Sequence, residues 1–453
     1  MTDITQFKVR GREVRFSFSF PDEEIDFLVK YPKGYNFGRE YENLMKDIPL
    51  IMWGNAIGFY EPEECDICFD VSENRLNFFK EIGRMNAALD AYYSDEKVEW
   101  EPPSVNVGRD TTALVPTSLP PKEYEGTMIC QSTGKESITS LHIMQELEKT
   151  PIHSMFIGYS SRAATHKQKS RELFRDYFDH DVHSVWSNFN RLQSKLQEKT
   201  ENYDPCVQFW EMFYVTAATP LAVEHGLKWI LVGNELNAGK VIEHDGAMTV
   251  EELNQSHVFE RDYTKYLSDV HGLPLVHTSV VQPMTDFGCR VVMAREFPDF
   301  MHALESCLRP TAAHGKWCEK CYKCQATWLE SIALGIDPET FGMSNDILFK
   351  SPHLGGDDDD WGYSFPKPNR DEVIYQDYGV LEQMPTIADN NEQVEGFKEW
   401  RERQKKRVDH EAMEEYRRYY NKWSIPVADY IPEEVRYNPG LEETEYYPEG
   451  YGP

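Results

Sequence analysis

Three stretches of this chain hold residue types whose spacing suits chemistry. The first is "QSTGKES", residues 131–137, which follows the short apolar run "TMIC" and precedes apolar residues at helical spacing. A strand that ends in a small, hydroxyl-rich turn and then opens a helix gathers backbone N–H groups at the positive end of the helix dipole. That geometry binds anions. Gly134 permits a tight turn, Ser132, Thr133 and Ser137 supply hydroxyls, and Lys135 supplies a charge suited to a phosphate chain. The same residues also suit an ordinary helix start, with Ser132 or Thr133 as cap and Glu136 in the first turn. The upstream glycine and the Gly-Lys-Ser/Thr order of a Walker A loop are absent.

The second stretch is Cys307-x10-Cys318-x2-Cys321-x2-Cys324. Two short CxxC steps let thiolates converge on one ion, and Cys307 closes a tetrahedron. The expected occupant is a structural Zn²⁺ with no open position; an iron–sulfur cluster is the alternative. Lys320 and Lys323 would offset the charge of a tetrathiolate. Cys65 and Cys68 form another CxxC with no second pair nearby, and they read as buried thiols on a strand. Cys130, Cys206 and Cys289 read as core. The third stretch is Gly233-Asn234-Glu235, directly after "KWILV", with Tyr263-Thr264-Lys265 further on. His277 and His314 are available as proton acceptors, and residue type alone selects neither.

The elements that would position these groups are legible in the periodicity. Residues 6–32 alternate apolar and polar, which predicts two or three antiparallel strands with a turn at Arg10–Gly11. A helical pattern runs from Arg75 to Tyr93. Residues 1–120 are therefore expected to form an α+β N-terminal domain, with the Pro- and Thr-rich run after it as a linker. From Thr127 strands alternate with helices: "TMIC", Ser137–Leu147, "IHSMFIGY", Thr165–Phe178, "DVHSVW", Val207–His225 and "KWILVGN". This rhythm predicts a parallel sheet with helices on both faces over 121–350, with ligands at the carboxyl ends of its strands. Residues 351–453 read as an acidic linker, one long charged helix near 392–423 and a Pro/Tyr/Glu-rich tail. Its aromatic residues would suit a protein partner or a second copy of the chain.

With 453 residues, a net charge of -30 and nine cysteines, the chain is expected to be globular and not a disulfide scaffold. No run of apolar residues suits a membrane helix, and no signal peptide is recognisable, so the cytoplasm is the expected compartment. The acidic surface weighs against nucleic acid as substrate.

"STGKES" resembles the SGGxDS signature of the PP-loop ATP pyrophosphatases, which cleave ATP between the α and β phosphates. Ser132, Gly134 and Ser137 match; Thr133 stands where that signature has Gly, and Glu136 where it has Asp. With the four-cysteine segment, the chain is similar to the 7-cyano-7-deazaguanine synthases, which adenylate a carboxylate and convert it to an amide and then a nitrile. It also resembles the ATP-dependent epimerases of UDP-N-acetylmuramoyl-L-alanyl-L-glutamate. That likeness rests on a β-rich N-terminal domain, Gly233-Asn234-Glu235, the YSK-like Tyr263-Thr264-Lys265, Ser306-Cys307 with "WCEKCYKC", and "FGMSNDIL".

The resemblance covers roughly residues 1–350. It implies a PP-loop (adenine nucleotide α-hydrolase-like) α/β fold and an enzyme that uses ATP with Mg²⁺, carries Zn²⁺ and adenylates a small-molecule or peptide carboxylate. Ser132, Thr133, Gly134, Lys135, Glu136, Ser137, Gly233 and Asn234 would bind the nucleotide. Lys135, Lys265 and Glu235 would act on the reacting groups, and Cys307, Cys318, Cys321 and Cys324 would hold zinc. A tRNA-modifying PP-loop enzyme and a non-catalytic binding protein are the alternatives.

Overall fold

The computed structural model describes residues 2–344, apart from 109–118, 120–121, 159–170, 199–208, 236–240, 251, 285, 305–316, 320–321 and 335. The chain divides into two compact units. The first comprises Met1–Gln131, Ser140–Ala164 and His180–Ser279; the second comprises Ser132–Thr139, Thr165–Asp179 and Val280–Pro453.

The first unit begins with an antiparallel meander of β1 (Asp3–Arg10), β2 (Glu13–Ser19) and β3 (Glu24–Lys30). The turn after β1 places Gly11 at φ +56, a left-handed conformation that glycine adopts without strain. Helix α1 (Asp47–Tyr60) is apolar nearly all round and is correspondingly buried. Strand β4 (Glu64–Ile67) leads to α2 (Glu73–Ser94), started by the Ser72 hydroxyl, and then to β5 (Ser104–Val107). Helices α1 and α2 meet backbone to backbone: a Cβ added at Gly58 would lie 2.5 Å from the Gly83 carbonyl oxygen.

The alternating region follows. It runs β6 (Thr127–Cys130), α3 (Lys135–Glu146), β7 (Ile152–Gly158), β8 (Asp181–Ser187), α4 (Asn190–Gln197), α5 (Trp210–His225) and β9 (Trp229–Leu231). A hairpin of β10 (Val241–His244) and β11 (Ala247–Val250) precedes α6 (His257–His271) and β12 (Val276–Thr278). Every residue of β6 and β7 is buried, as befits parallel strands covered on both faces.

The strands form one mixed sheet in the order β12-β9-β6-β7-β8-β3-β2-β1-β4-β5. The β12-β9-β6-β7-β8 portion is parallel. Strand β3 then joins β8 antiparallel through Val29↔Ser187 and Lys30↔Trp186. The sheet is therefore continuous across the boundary expected near residue 120, because β3 covers an edge that β8 would otherwise leave open. One core cluster runs from Ile4, Phe16 and Phe27 through Met128 and Met155 to Phe213 and Leu267.

A buried ionic network fastens three helices of this unit. Asp47 at the start of α1 receives Arg75 Nε of α2 at 2.8 Å and His271 Nε2 of α6 at 2.7 Å. The Tyr266 hydroxyl of α6 also donates to Asp47. Burial works against the Asp47 charge, but Arg75 and His271 outweigh it and hold the carboxyl below its ordinary range.

In the second unit, 171–177 is helical, within the helix expected at Thr165–Phe178. Helices α7 (Asp286–Glu296) and α8 (Tyr322–Ala333) follow. Arg290 of α7 donates to Glu330 Oε2 at 2.9 Å and Thr327 Oγ1 at 3.0 Å on α8, all buried. Among the described residues, no helix is long and apolar enough to cross a membrane. The charged helix and tail of 351–453 and most of the Pro-rich linker lie outside the described residues.

Candidate phosphate loop and metal ligands

Residues 131–134 connect β6 to α3, the strand–turn–helix order that the anion-site reading requires. Gly134 N donates to Ser132 Oγ at 3.1 Å, the two hydroxyls of Ser132 and Ser137 meet at 3.2 Å, and Ser137 Oγ donates to Gly134 O at 3.1 Å. Thr133, at the position where the PP-loop signature has glycine, lies at φ 63. The left-handed region is costly for a β-branched residue. Its hydroxyl donates to Ser132 O at 2.6 Å, and the side chain is buried.

Lys135 is also buried, with its ammonium 2.5 Å from Glu136 Oε1. In this arrangement a phosphate group would have to compete with Glu136 for the cation. Within the second unit, Thr139 Oγ1 of α3 donates to Cys289 O at 3.2 Å.

The Gly233-Asn234-Glu235 segment follows β9, in the first unit. Asn234 is buried, whereas Gly233 and Glu235 are half-buried. The partner that holds Asn234 is Glu260 of α6, which the sequence reading missed. Asn234 Nδ2 donates to Glu260 Oε1 at 2.8 Å, and Ser279 N donates to Oε2 at 3.0 Å. Ser279 Oγ in turn donates to Asn234 O at 2.8 Å. One carboxyl therefore joins the loops at the carboxyl ends of β9 and β12.

Burial pushes the Glu260 carboxyl up to about 7, despite the donors from Asn234, Ser279 and Thr278 that favour its ionised form. A signal for it existed: Glu260 shares the buried stripe of α6 with Phe259, Tyr263 and Leu267, and a carboxylate on an apolar stripe requires partners.

The Tyr263-Thr264-Lys265 segment is split by the helix. Tyr263 is buried with its hydroxyl 3.1 Å from Thr219 Oγ1, and Thr264 Oγ1 donates to His277 O at 3.0 Å. Lys265 has a side chain 76% exposed and paired with Asp269 at 2.9 Å. The structure thus gives Lys265 the position of a surface lysine, not of a member of the buried Asn234–Glu260 cluster. His277 is buried on β12 with Nδ1 3.1 Å from Ile230 O, and burial holds its ring down to about 4. His314 lies outside the described residues.

Of the four expected zinc ligands, Cys318 and Cys324 are described and buried; Cys307 and Cys321 lie outside the described residues. Cys324 is in the first turn of α8, and Glu319 at φ 57 forms the turn that follows Cys318. The two sulfurs are 3.8 Å apart. Two Zn–S bonds of about 2.3 Å at a tetrahedral angle span about 3.8 Å, so this pair fits zinc. The Cys65–Cys68 pair departs from its expectation. Cys65, on β4, is buried with its thiol pushed up to about 11 by burial, whereas Cys68, just past the end of β4, is exposed. Cys130 and Cys289 are buried, as expected; Cys206 lies outside the described residues.

A further cluster, His153, His183 and His225, was not anticipated from spacing, since its members are distant in the sequence and meet only through the sheet. Compared with known proteins, the chain matches no family model and no curated protein.

Proposed function

We propose that the chain binds ATP·Mg²⁺ at the Ser132–Ser137 loop and transfers the adenylyl group to a substrate carboxylate. The carboxylate oxygen attacks the α-phosphorus, the bond between that phosphorus and the bridging oxygen breaks, and pyrophosphate leaves. The observation that carries this reading is the loop itself. It has two serine hydroxyls interlocked with the Gly134 backbone, a strained Thr133 and a buried lysine at the start of a helix that follows a buried strand. Backbone strain of this kind concentrates at ligand sites.

In this reading Ser132, Gly134 and Ser137 exchange their mutual hydrogen bonds for phosphate oxygens, and Lys135 leaves Glu136 for the phosphate chain. Glu136 would hold Mg²⁺, which neutralises pyrophosphate charge when bound. Glu260 positions Asn234 at the strand edge where ligands of such sheets sit. The zinc site of Cys307, Cys318, Cys321 and Cys324 stabilises the second unit through α8 and its Arg290 link to α7. Attack on the acyl-adenylate by ammonia would give an amide; loss of an α-proton followed by hydrolysis would give an epimer.

The close Lys135–Glu136 pair also favours a second reading, nucleotide binding without turnover. Incubation of the full chain with α-labelled ATP, Mg²⁺ and a panel of carboxylates separates the two. AMP and pyrophosphate are expected, with at least about a hundredfold loss in Ser132→Ala/Lys135→Ala, the scale of losing a transition-state contact. ADP and phosphate as products would overturn the adenylation reading. Binding with no product in any condition would favour the second.

A further inference from the structure

Three imidazoles converge at the amino-terminal ends of β7 and β8, the strand edge opposite to the one from which residue 131 departs. His153 is the second residue of β7 and His183 the third of β8; His153 is in register with Asp181, so the two histidines are diagonal neighbours on the sheet. His225 is the last residue of α5, where Gly226 at φ 65 ends the helix. One ring nitrogen from each histidine lies within 4.8 Å of the others. His153 Nδ1 is 2.9 Å from His183 Nε2, and the two rings are parallel to within 6°. The Tyr35 hydroxyl lies 2.9 Å from His183 Nδ1 and 2.5 Å from His225 Nε2.

We propose that His153, His183 and His225 form a binding site for a divalent transition metal of the zinc class, with Tyr35 as the positioning residue. The chemistry of the donor set selects the ion: three neutral nitrogen ligands suit zinc and its neighbours and do not suit magnesium or calcium, which take oxygen. Tyr35 does the work of an outer partner. When its oxygen accepts the Nδ1–H of His183, it leaves the Nε2 lone pair directed toward His153 Nδ1, the tautomer a metal requires.

Two Zn–N bonds of about 2.0–2.1 Å at a tetrahedral angle separate the nitrogens by about 3.3 Å, so on loading the His153–His183 contact opens by about 0.4 Å and His225, within 4.8 Å of both, closes toward the same separation. His153 and His183 are buried, whereas His225 is exposed, which provides the path of entry and a fourth position for water. Asp181, 74% exposed with Oδ2 3.8 Å from His153 Nδ1, adds negative charge at the rim. This site is independent of the ATP reading and differs from the cysteine site in having no thiolate.

The test uses the full chain, stripped with a chelator and titrated with Co²⁺ and separately with Zn²⁺. Cys318→Ser/Cys324→Ser is expected to retain one equivalent of Co²⁺ with ligand-field absorption and no thiolate-to-cobalt charge transfer. His225→Ala, at the exposed end of a helix and checked for fold by circular dichroism, is expected to lose one equivalent from an otherwise unaltered chain. Tyr35→Phe should weaken Zn²⁺ binding at least about tenfold without changing its stoichiometry, the loss seen when a ligand histidine is deprived of its outer partner. Unchanged metal content in His225→Ala would overturn the proposal and leave a hydrogen-bonded stack of histidines. So would a Cys318→Ser/Cys324→Ser protein that is folded but takes up neither ion.

Discussion

Thr133 sits in a conformation that costs a non-glycine residue about 1–2 kcal/mol, and replacing it with glycine would also raise the entropy of the unfolded chain by about 0.5–1 kcal/mol. Thr133→Gly is therefore expected to stabilise the protein by up to about 1.5 kcal/mol in thermal or urea unfolding. A destabilised variant would show that the Thr133–Ser132 hydrogen bond outweighs the strain. Glu260 makes a prediction about pH. Its folded value of about 7 lies above the ordinary 4.5, so the folded state holds a proton that the unfolded state has released. The stability it contributes is fully present below about pH 4.5 and is lost as pH rises through about 7. Glu260→Gln should remove that component, so its unfolding free energy should fall less than that of the parent over this interval. Parallel pH profiles for the two proteins would contradict the assignment. At this scale Ser132, Lys135 and the cysteines could be picked out from type and spacing. The three histidines could not, and for Glu260 the spacing shows only a carboxylate on an apolar stripe, because the partners of all four are brought by other elements.

At the scale of elements, helices α1, α2 and α6 meet at Asp47, and the buried Arg75–Asp47 pair has its nitrogen and oxygen 2.6 Å apart. Removing one member of a buried ion pair strands the other, which costs about 3–5 kcal/mol. Asp47→Ala is expected to lower stability by that amount, while a double replacement of Asp47 and Arg75 by apolar residues should recover part of the loss. A single variant within about 1 kcal/mol of the parent in chemical denaturation would refute the role given to this network. Helix α8 makes a second prediction. If Cys318 and Cys324 hold zinc, metal binding is part of the folding free energy of their unit. Cys318→Ser should then hold one equivalent of zinc less than the parent by elemental analysis and melt at a lower temperature, whereas a parent protein free of zinc and iron would remove the claim. Residue 47 carries no motif, and only packing turns it into the hub of three helices.

On the scale of the whole molecule, the sheet and the core of the first unit cross residue 120, so the residues after it do not enclose a complete core. A fragment of residues 121–354 is expected to be insoluble or poorly folded, because it exposes the β8 edge and the apolar surface that β3, α1 and α2 cover. A soluble, cooperatively melting fragment would show the two parts to be separable. Truncation after residue 354 is expected to leave ATP binding unchanged, as measured by calorimetry against the full chain. The sequence by itself determined the local order: antiparallel strands within residues 6–32, a helix over Arg75–Tyr93 and the strand–turn–helix from "TMIC" through Ser137–Leu147, since each follows from periodicities and turn residues within a few positions. Tertiary structure alone decided that β3 pairs with β8, that Glu260 reaches Asn234, that Lys265 faces solvent and that His153, His183 and His225 meet. The reason is physical. Strand register, helix rotation and the partner of a buried charge depend on surfaces that exist only once distant segments have packed, and no local pattern of side chains encodes those distances.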